Sequence, residues 1–264
     1  MVMKLGFTKI EYGINPDGSR GRSWNFYQGC LHKKRGICPV PNCWAELMSK
    51  RRGEDFYSPR LEPELLLAPL HIRKPSTILV NFTGDLFGDW VDPNALVDVI
   101  EWDKPYAPEP LREIVFRVIK ARPEHSFLFL TKNPTGLLKW GQFPDNAWVG
   151  VSACNQKMYN EAVAVLSSIK AEHKWLSFEP LLSDIKIQSP YDLEGIEWVV
   201  IGAQSPYNSQ TAPKMVWVQR ILVSAHNAGN IHVWLKNNLA PVINNTNEPG
   251  WQGWRLELPL GVKK

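Results

Sequence analysis

Seven short apolar runs recur along the chain, separated by longer segments of mixed polarity, and this rhythm predicts a parallel α/β fold. The runs cover residues 23–28, 77–82, 126–131, 147–151, 174–178, 198–201 and 231–235. Each has the length of a strand rather than of a helix. Between them, Leu111, Ile114, Val115, Val118 and Ile119 recur at helical spacing in 111–121, and a second amphipathic stretch covers 159–171. An open doubly wound sheet and a closed or partly closed barrel both lay helices over parallel strands, so periodicity leaves both open.

The chain has 264 residues, 44% hydrophobic and 21% charged, enough to bury a full core. The expectation is one domain over 1–264, with a cysteine loop at about 29–44 and a C-terminal extension at about 238–264. No apolar run approaches bilayer length, and the segment from Met1 to Gly6 lacks the apolar core of a secretion signal. A cytoplasmic protein with no membrane partner is therefore expected.

Polar residues follow the apolar runs. Thr83, Gly84 and Asp85 come after the second, Lys132 and Asn133 after the third, and Ser152 to Asn155 after the fourth. Glu179, then Gln204 and Ser205, then Lys236 follow the last three. In parallel α/β folds the carboxyl ends of the strands converge, so residues this far apart in sequence can share a pocket.

Three of the four cysteines, Cys30, Cys38 and Cys43, fall in one loop after the first predicted strand, and Cys154 stands far downstream. In a reducing compartment such a cluster suits metal or iron–sulfur ligation better than disulfides. Three thiolates can bind three irons of a [4Fe–4S] cube and leave the fourth open to a chelating cofactor. The alternative is a zinc site completed by His32. Zinc sites usually contain close cysteine pairs, whereas the gaps here are seven and four residues. A helix is expected from Trp44 to Arg52, ended by Gly53.

The segments Phe7-Thr8-Lys9-Ile10-Glu11-Tyr12, Trp24-Asn25-Phe26 with Gly29-Cys30, and Asn42-Cys43-Trp44-Ala45-Glu46 resemble the opening of a phage-associated, three-cysteine family related to radical S-adenosylmethionine enzymes. The resemblance continues through the run from Gly84 to Val91, Phe129-Leu130-Thr131-Lys132-Asn133-Pro134, the run from Trp148 to Ser152, Phe178-Glu179-Pro180-Leu181-Leu182 and Val233-Trp234-Leu235-Lys236. Through Thr131-Lys132 the chain also resembles spore photoproduct lyase, a DNA-repair radical enzyme. The resemblance implies a partial or nearly closed radical-enzyme barrel. It implies a [4Fe–4S] cluster on Cys30, Cys38 and Cys43, S-adenosyl-L-methionine as cofactor, a 5′-deoxyadenosyl radical and an external electron donor. The usual superfamily spacing of three and two residues between the cysteines is widened here, which a longer loop tolerates at small entropic cost.

On this reading Thr83, Gly84 and Asp85 receive the methionine amino group, Gly84 by permitting close backbone approach and Asp85 by accepting from an ammonium. Lys132 pairs with the cofactor carboxylate or a substrate phosphate. Ser152 and Asn155 hydrogen-bond the ribose or carboxylate, and Glu179 binds a ribose hydroxyl or orients substrate. Glu179 sits in an apolar run, where an unpaired carboxylate is costly, so an ion pair with Lys236 is its alternative role. Lys236 and Cys154 are the candidate catalytic residues, Cys154 as a thiol returning a hydrogen atom to a substrate radical.

Residues 1–80 carry thirteen Lys and Arg against seven Asp and Glu, so the basic excess surrounds the cysteines. It suits phosphate contacts with DNA or RNA, and compensation of cluster charge equally well. Nucleic-acid repair or modification is the leading expectation. A radical enzyme for a small molecule or protein, and a zinc-stabilised binding protein, are the alternatives. Trp102 and Trp140 lie in polar surroundings suited to base stacking, whereas Trp148, Trp175 and Trp198 are expected in the core.

Overall fold

The computed structural model describes residues 5–101, 104–105, 107–229 and 231–243. Its main sheet has eight strands that follow chain order from edge to edge. They are β1 (Gly6–Phe7), β2 (Arg22–Trp24), β3 (Thr77–Val80), β4 (Ser126–Thr131), β5 (Ala147–Ser152), β6 (His173–Phe178), β7 (Trp198–Ile201) and β8 (His232–Leu235). β1 is antiparallel to β2, and every other neighbouring pair is parallel. The helices α1 (Trp44–Arg51), α2 (Leu111–Lys120), α3 (Pro134–Leu137), α4 (Gln156–Ser168) and α5 (Met215–Asn227) occupy the connections. No ladder closes the sheet among the described residues. One side-chain bond does link its two ends: Asn237 N, beyond β8, donates to Glu11, between β1 and β2, at 2.7 Å.

Both faces of the sheet are buried, which explains why its strands read as continuous apolar runs. Phe127, Phe129, Val149, Val151, Leu176, Phe178, Val199 and Ile201 face one way and pack with helix residues such as Ile114, Val118, Leu166 and Ile221. Their alternate neighbours Leu128, Trp148, Trp175, Trp198, Val200 and Trp234 form a separate cluster with Tyr12 on the other face. The tryptophans fit because one strand yields. A Cβ on Gly150 would come within 2.2 Å of the Trp175 ring, and Trp175 Nε1 donates to Phe129 O at 3.1 Å. Burying side chains of this size stabilises by roughly 1.5–3 kcal/mol each, so the inner aromatic layer is a real contributor to the fold.

The boundaries differ from the sequence expectations for identifiable reasons. The expected strand at 23–28 divides, because Asn81 Oδ1 takes the Tyr27 amide at 2.8 Å and Tyr27–Gln28 pairs instead with Arg60–Leu61. β3 stops at Val80, since Asn81 turns the chain with a φ of 56°. α4 begins three residues before the expected stretch, where Asn155 caps it by accepting from Met158 N at 3.0 Å, a bond worth about 1 kcal/mol. Trp148, Trp175 and Trp198 are buried as expected. Trp140 is buried too, against Phe87 and Phe116, so base stacking is not available to it. Trp102 lies outside the described residues. No described helix is long and apolar enough to cross a membrane.

Candidate functional site

The carboxyl ends of the strands surround a cavity of about 440 Å³. Its wall includes Cys30, Cys38, Cys43, Gly84, Asp85, Lys132, Glu179 and Lys236, contributed by loops more than 200 residues apart in sequence. Lys9 to Tyr12 lie across it, with Tyr12 on the inner aromatic layer and 5.4 Å from Trp198 between ring centroids. Apolar side chains such as Val40, Met48, Phe56, Phe82 and Leu130 line the cavity together with the polar groups.

The cysteine loop is held by backbone and side chains together. Cys30 N donates to Phe56 O at 3.0 Å, and His32 O accepts from both Ile37 N and Cys38 N. Gly29 bridges to Gly84, and a Cβ on Gly84 would stand 2.7 Å from Gly29 O. The close approach that Gly84 permits is therefore to the cysteine loop's own backbone. All three thiols are partly exposed and free of disulfides. Burial, and then the Asp85 carboxylate, push the Cys30 thiol above the ordinary range. Among the described residues, no three His, Cys, Asp or Glu side chains gather tightly enough to hold one metal ion.

Asp85 is a junction. One oxygen accepts from His32 Nε2 at 2.7 Å and Lys132 N at 3.0 Å, the other from Phe87 N at 2.9 Å, and Thr131 Oγ1 reaches both. These bonds occupy the carboxylate with protein donors and tie the cysteine loop to the ends of β3 and β4. His32 also packs on Trp90 at 4.7 Å, and Arg35, on the same loop, pairs with Asp89 and covers the Trp90 ring. Sequence reasoning considered His32 only as a zinc ligand and did not foresee this docking.

Lys132 Nζ donates to Ser152 Oγ at 2.9 Å and approaches Glu179 O at 3.4 Å. Burial lowers its pKa, but the charges of Cys154, Cys38, Cys43 and Glu179 outweigh this and raise it above the lysine range. No carboxylate touches its ammonium among the described residues, because Glu179 is engaged elsewhere. Lys236 Nζ lies 2.5 Å from Glu179 Oε1, and Tyr12 lines the cavity beside them, with Lys236 Nζ 5.9 Å from its ring centroid. The ion pair considered for Glu179 is thus present. Burial first, and then Glu179, push the Tyr12 hydroxyl well above its usual range.

The remaining candidates stand apart from the cavity wall. Ser152 lies behind Lys132 and donates to Glu179 O at 3.0 Å. Asn155 is spent on the α4 cap. Thr83 Oγ1 is buried without a hydrogen-bond partner. Cys154 is fully buried, 3.8 Å from Glu179 O, with its thiol pushed up to about 11 by burial and partly restrained by Lys132. Glu11, Tyr12 and Gln204 line the cavity but were not among the predicted site residues. The first two lie in a segment with no strand pattern, and only its place in the motif series hinted at a role.

Fold and site together define an α/β protein with a mostly parallel sheet and a thiol-bearing cavity of mixed polarity at the carboxyl ends of its strands. The chain belongs to the family described as a protein of unknown function (DUF5131), whose model matches residues 18–238. No curated protein and no solved structure matches it.

Proposed function

We propose that the protein is a radical S-adenosylmethionine enzyme with a partial-barrel architecture, holding a [4Fe–4S] cluster on Cys30, Cys38 and Cys43 and acting on nucleic acid. The observation that carries this reading is that all three thiols share one cavity with Asp85, Lys132 and Glu179 at the carboxyl ends of parallel strands. The chemistry of the donor set fits the group: three free, partly exposed thiols on one loop suit a cubane, whose ligands stand farther apart than those of a single ion. When bound, cluster and cofactor supply a carbon-centred radical by reductive cleavage of the sulfonium.

The chain's own residues have distinct tasks in this scheme. Asp85 orients the cysteine loop through His32, and Lys132 offers an ammonium without a contacting carboxylate to an anionic ligand group. Glu179, held by Lys236, presents a positioned acceptor, and Tyr12, Phe82 and Leu130 give the cavity apolar surface that disfavours water at the reacting centre. An external electron donor completes the scheme.

The nucleic-acid assignment draws on the basic first third. Much of that charge is already paired, Lys33 with Glu46 and Arg52 with Glu54, while Lys34, Lys50 and Arg51 remain exposed. A second reading, a zinc-stabilised binding protein, draws on His32: its Nε2 meets Asp85 while Nδ1 is buried and unpartnered, the orientation of a metal-bound imidazole.

Anaerobic reconstitution followed by iron, sulfide and zinc analysis separates the two. Iron with sulfide, and 5′-deoxyadenosine after reduction with S-adenosylmethionine, supports the enzyme. Stoichiometric zinc without either overturns it. For the substrate class, binding to a short DNA or RNA falls as salt rises; no affinity even at low salt removes nucleic acid from the proposal.

A further inference from the structure

Gln204 follows β7 and lines the cavity, yet only 1% of it is exposed. One end of its carboxamide lies 3.2 Å from Thr211 Oγ1, which also reaches Asn208 O at 3.3 Å. Its amide nitrogen is buried and without a partner. A hydroxyl carries one proton and two lone pairs, so Thr211 can satisfy either end of the carboxamide, and the opposite end remains open in both orientations. Leaving such a group unsatisfied in the interior is costly, and few native groups are left so without a reason.

The loop that carries Gln204 is fixed in place. Asn238 accepts from Ala203 N at 3.0 Å and donates to Ala203 O at 2.7 Å and Ser205 Oγ at 3.0 Å. The carboxamide is thus held on a rigid frame, as a recognition group needs to be. The charges nearby indicate what it meets. Glu11, Glu179 and Lys132 all act electrostatically on Lys236, so this wall sets two carboxylates against two ammoniums and suits a neutral ligand group beside Gln204. Tyr12, Phe82 and Leu130 add apolar surface to the same cavity.

We infer that Gln204 is a recognition residue whose free amide end reads the lactam edge of a flat heterocycle, as carried by thymine, uracil and the 6-oxopurines. A lactam offers a carbonyl and an N–H side by side, so it answers either end of the carboxamide. The inference rests on the nucleic-acid reading above for its substrate class.

The test compares a thymidine tetranucleotide with the same strand bearing 2,4-difluorotoluene, a thymine isostere that lacks the lactam, in place of one base. The wild-type protein is expected to bind the isostere about tenfold more weakly. Gln204→Met is expected to bind both strands equally, and Thr211→Val, which frees the carboxamide to rotate, to lose part of the discrimination. Thermal unfolding shows whether each variant is folded, and Thr211→Val keeps the test decisive should Gln204→Met not fold. Equal binding by the wild type, or full discrimination retained in a folded Gln204→Met, overturns the inference. So does failure to bind the thymidine strand at all. The cleavage assay on wild-type protein is independent: deoxyadenosine formed without discrimination sinks Gln204's role alone.

Discussion

His32 and Asp85, 53 residues apart in sequence, meet at 2.7 Å in the interior and fasten the cysteine loop to the end of β3. Asp85 also accepts from Phe87 N, Thr131 Oγ1 and Lys132 N, so its removal strands several buried donors at once. Asp85→Ala is expected to cost about 3–5 kcal/mol, and Asp85→Asn less, because the amide keeps one acceptor. Urea unfolding followed by far-UV circular dichroism measures both. A loss under about 1 kcal/mol for Asp85→Ala would mean the junction is not structural.

Glu179 and Lys236 form a buried pair whose halves are each costly to leave alone. Glu179→Gln and Lys236→Met are each expected to destabilise by about 3–5 kcal/mol, while the double variant loses less than their sum. A double-mutant cycle reads the coupling, expected at about 1–3 kcal/mol; additive losses would show the two side chains to be energetically independent.

Gly150 makes room for an indole: an added Cβ would stand 2.2 Å from Trp175. Gly150→Ala is therefore expected to displace Trp175 and disturb its stack on Trp198, where the centroids are 4.8 Å apart. The stability loss is about 1–3 kcal/mol. Near-UV circular dichroism reports the aromatic pair directly, and an unchanged spectrum would contradict this packing.

His125 is buried, with its ring nitrogen 3.2 Å from Ile72 O, and burial lowers its pKa below the ordinary 6.5. The unfolded chain then binds more protons than the folded one as pH falls below about 6.5. Stability is full above that value and declines beneath it. Urea midpoints at pH 7.5 and 5.5 are expected to differ less in His125→Gln than in the wild type; an equal decline in both would assign the acid sensitivity to other groups.

Much of the sheet was legible because a strand buried on both faces needs an unbroken apolar run, and 126–131 and 198–201 match β4 and β7 to the residue. The cavity wall was partly legible for a related reason, since polar residues just after such runs gather at one end of a parallel sheet. Asp85, Lys132, Glu179 and Lys236 were found in this way, and Cys30, Cys38 and Cys43 by their clustering on one loop; all line the cavity. Asn155 and Cys154 follow the same rule yet turn away from it, one spent on a helix cap and the other buried beneath Glu179. Local pattern says that a polar group follows a strand, not which way its side chain turns.

Strand positions, helix faces and the clustering of thiols on one loop follow from the sequence alone, because each depends on neighbours a few residues away. Tertiary structure alone decided that Asp85 is occupied by His32 rather than free for a ligand, that Glu11 and Tyr12 enter the cavity, and that Gln204 keeps one amide end unpaired. Each of these is a contact between groups far apart in the chain. Its free energy comes from burial and hydrogen bonding that exist only once the sheet has brought those groups together.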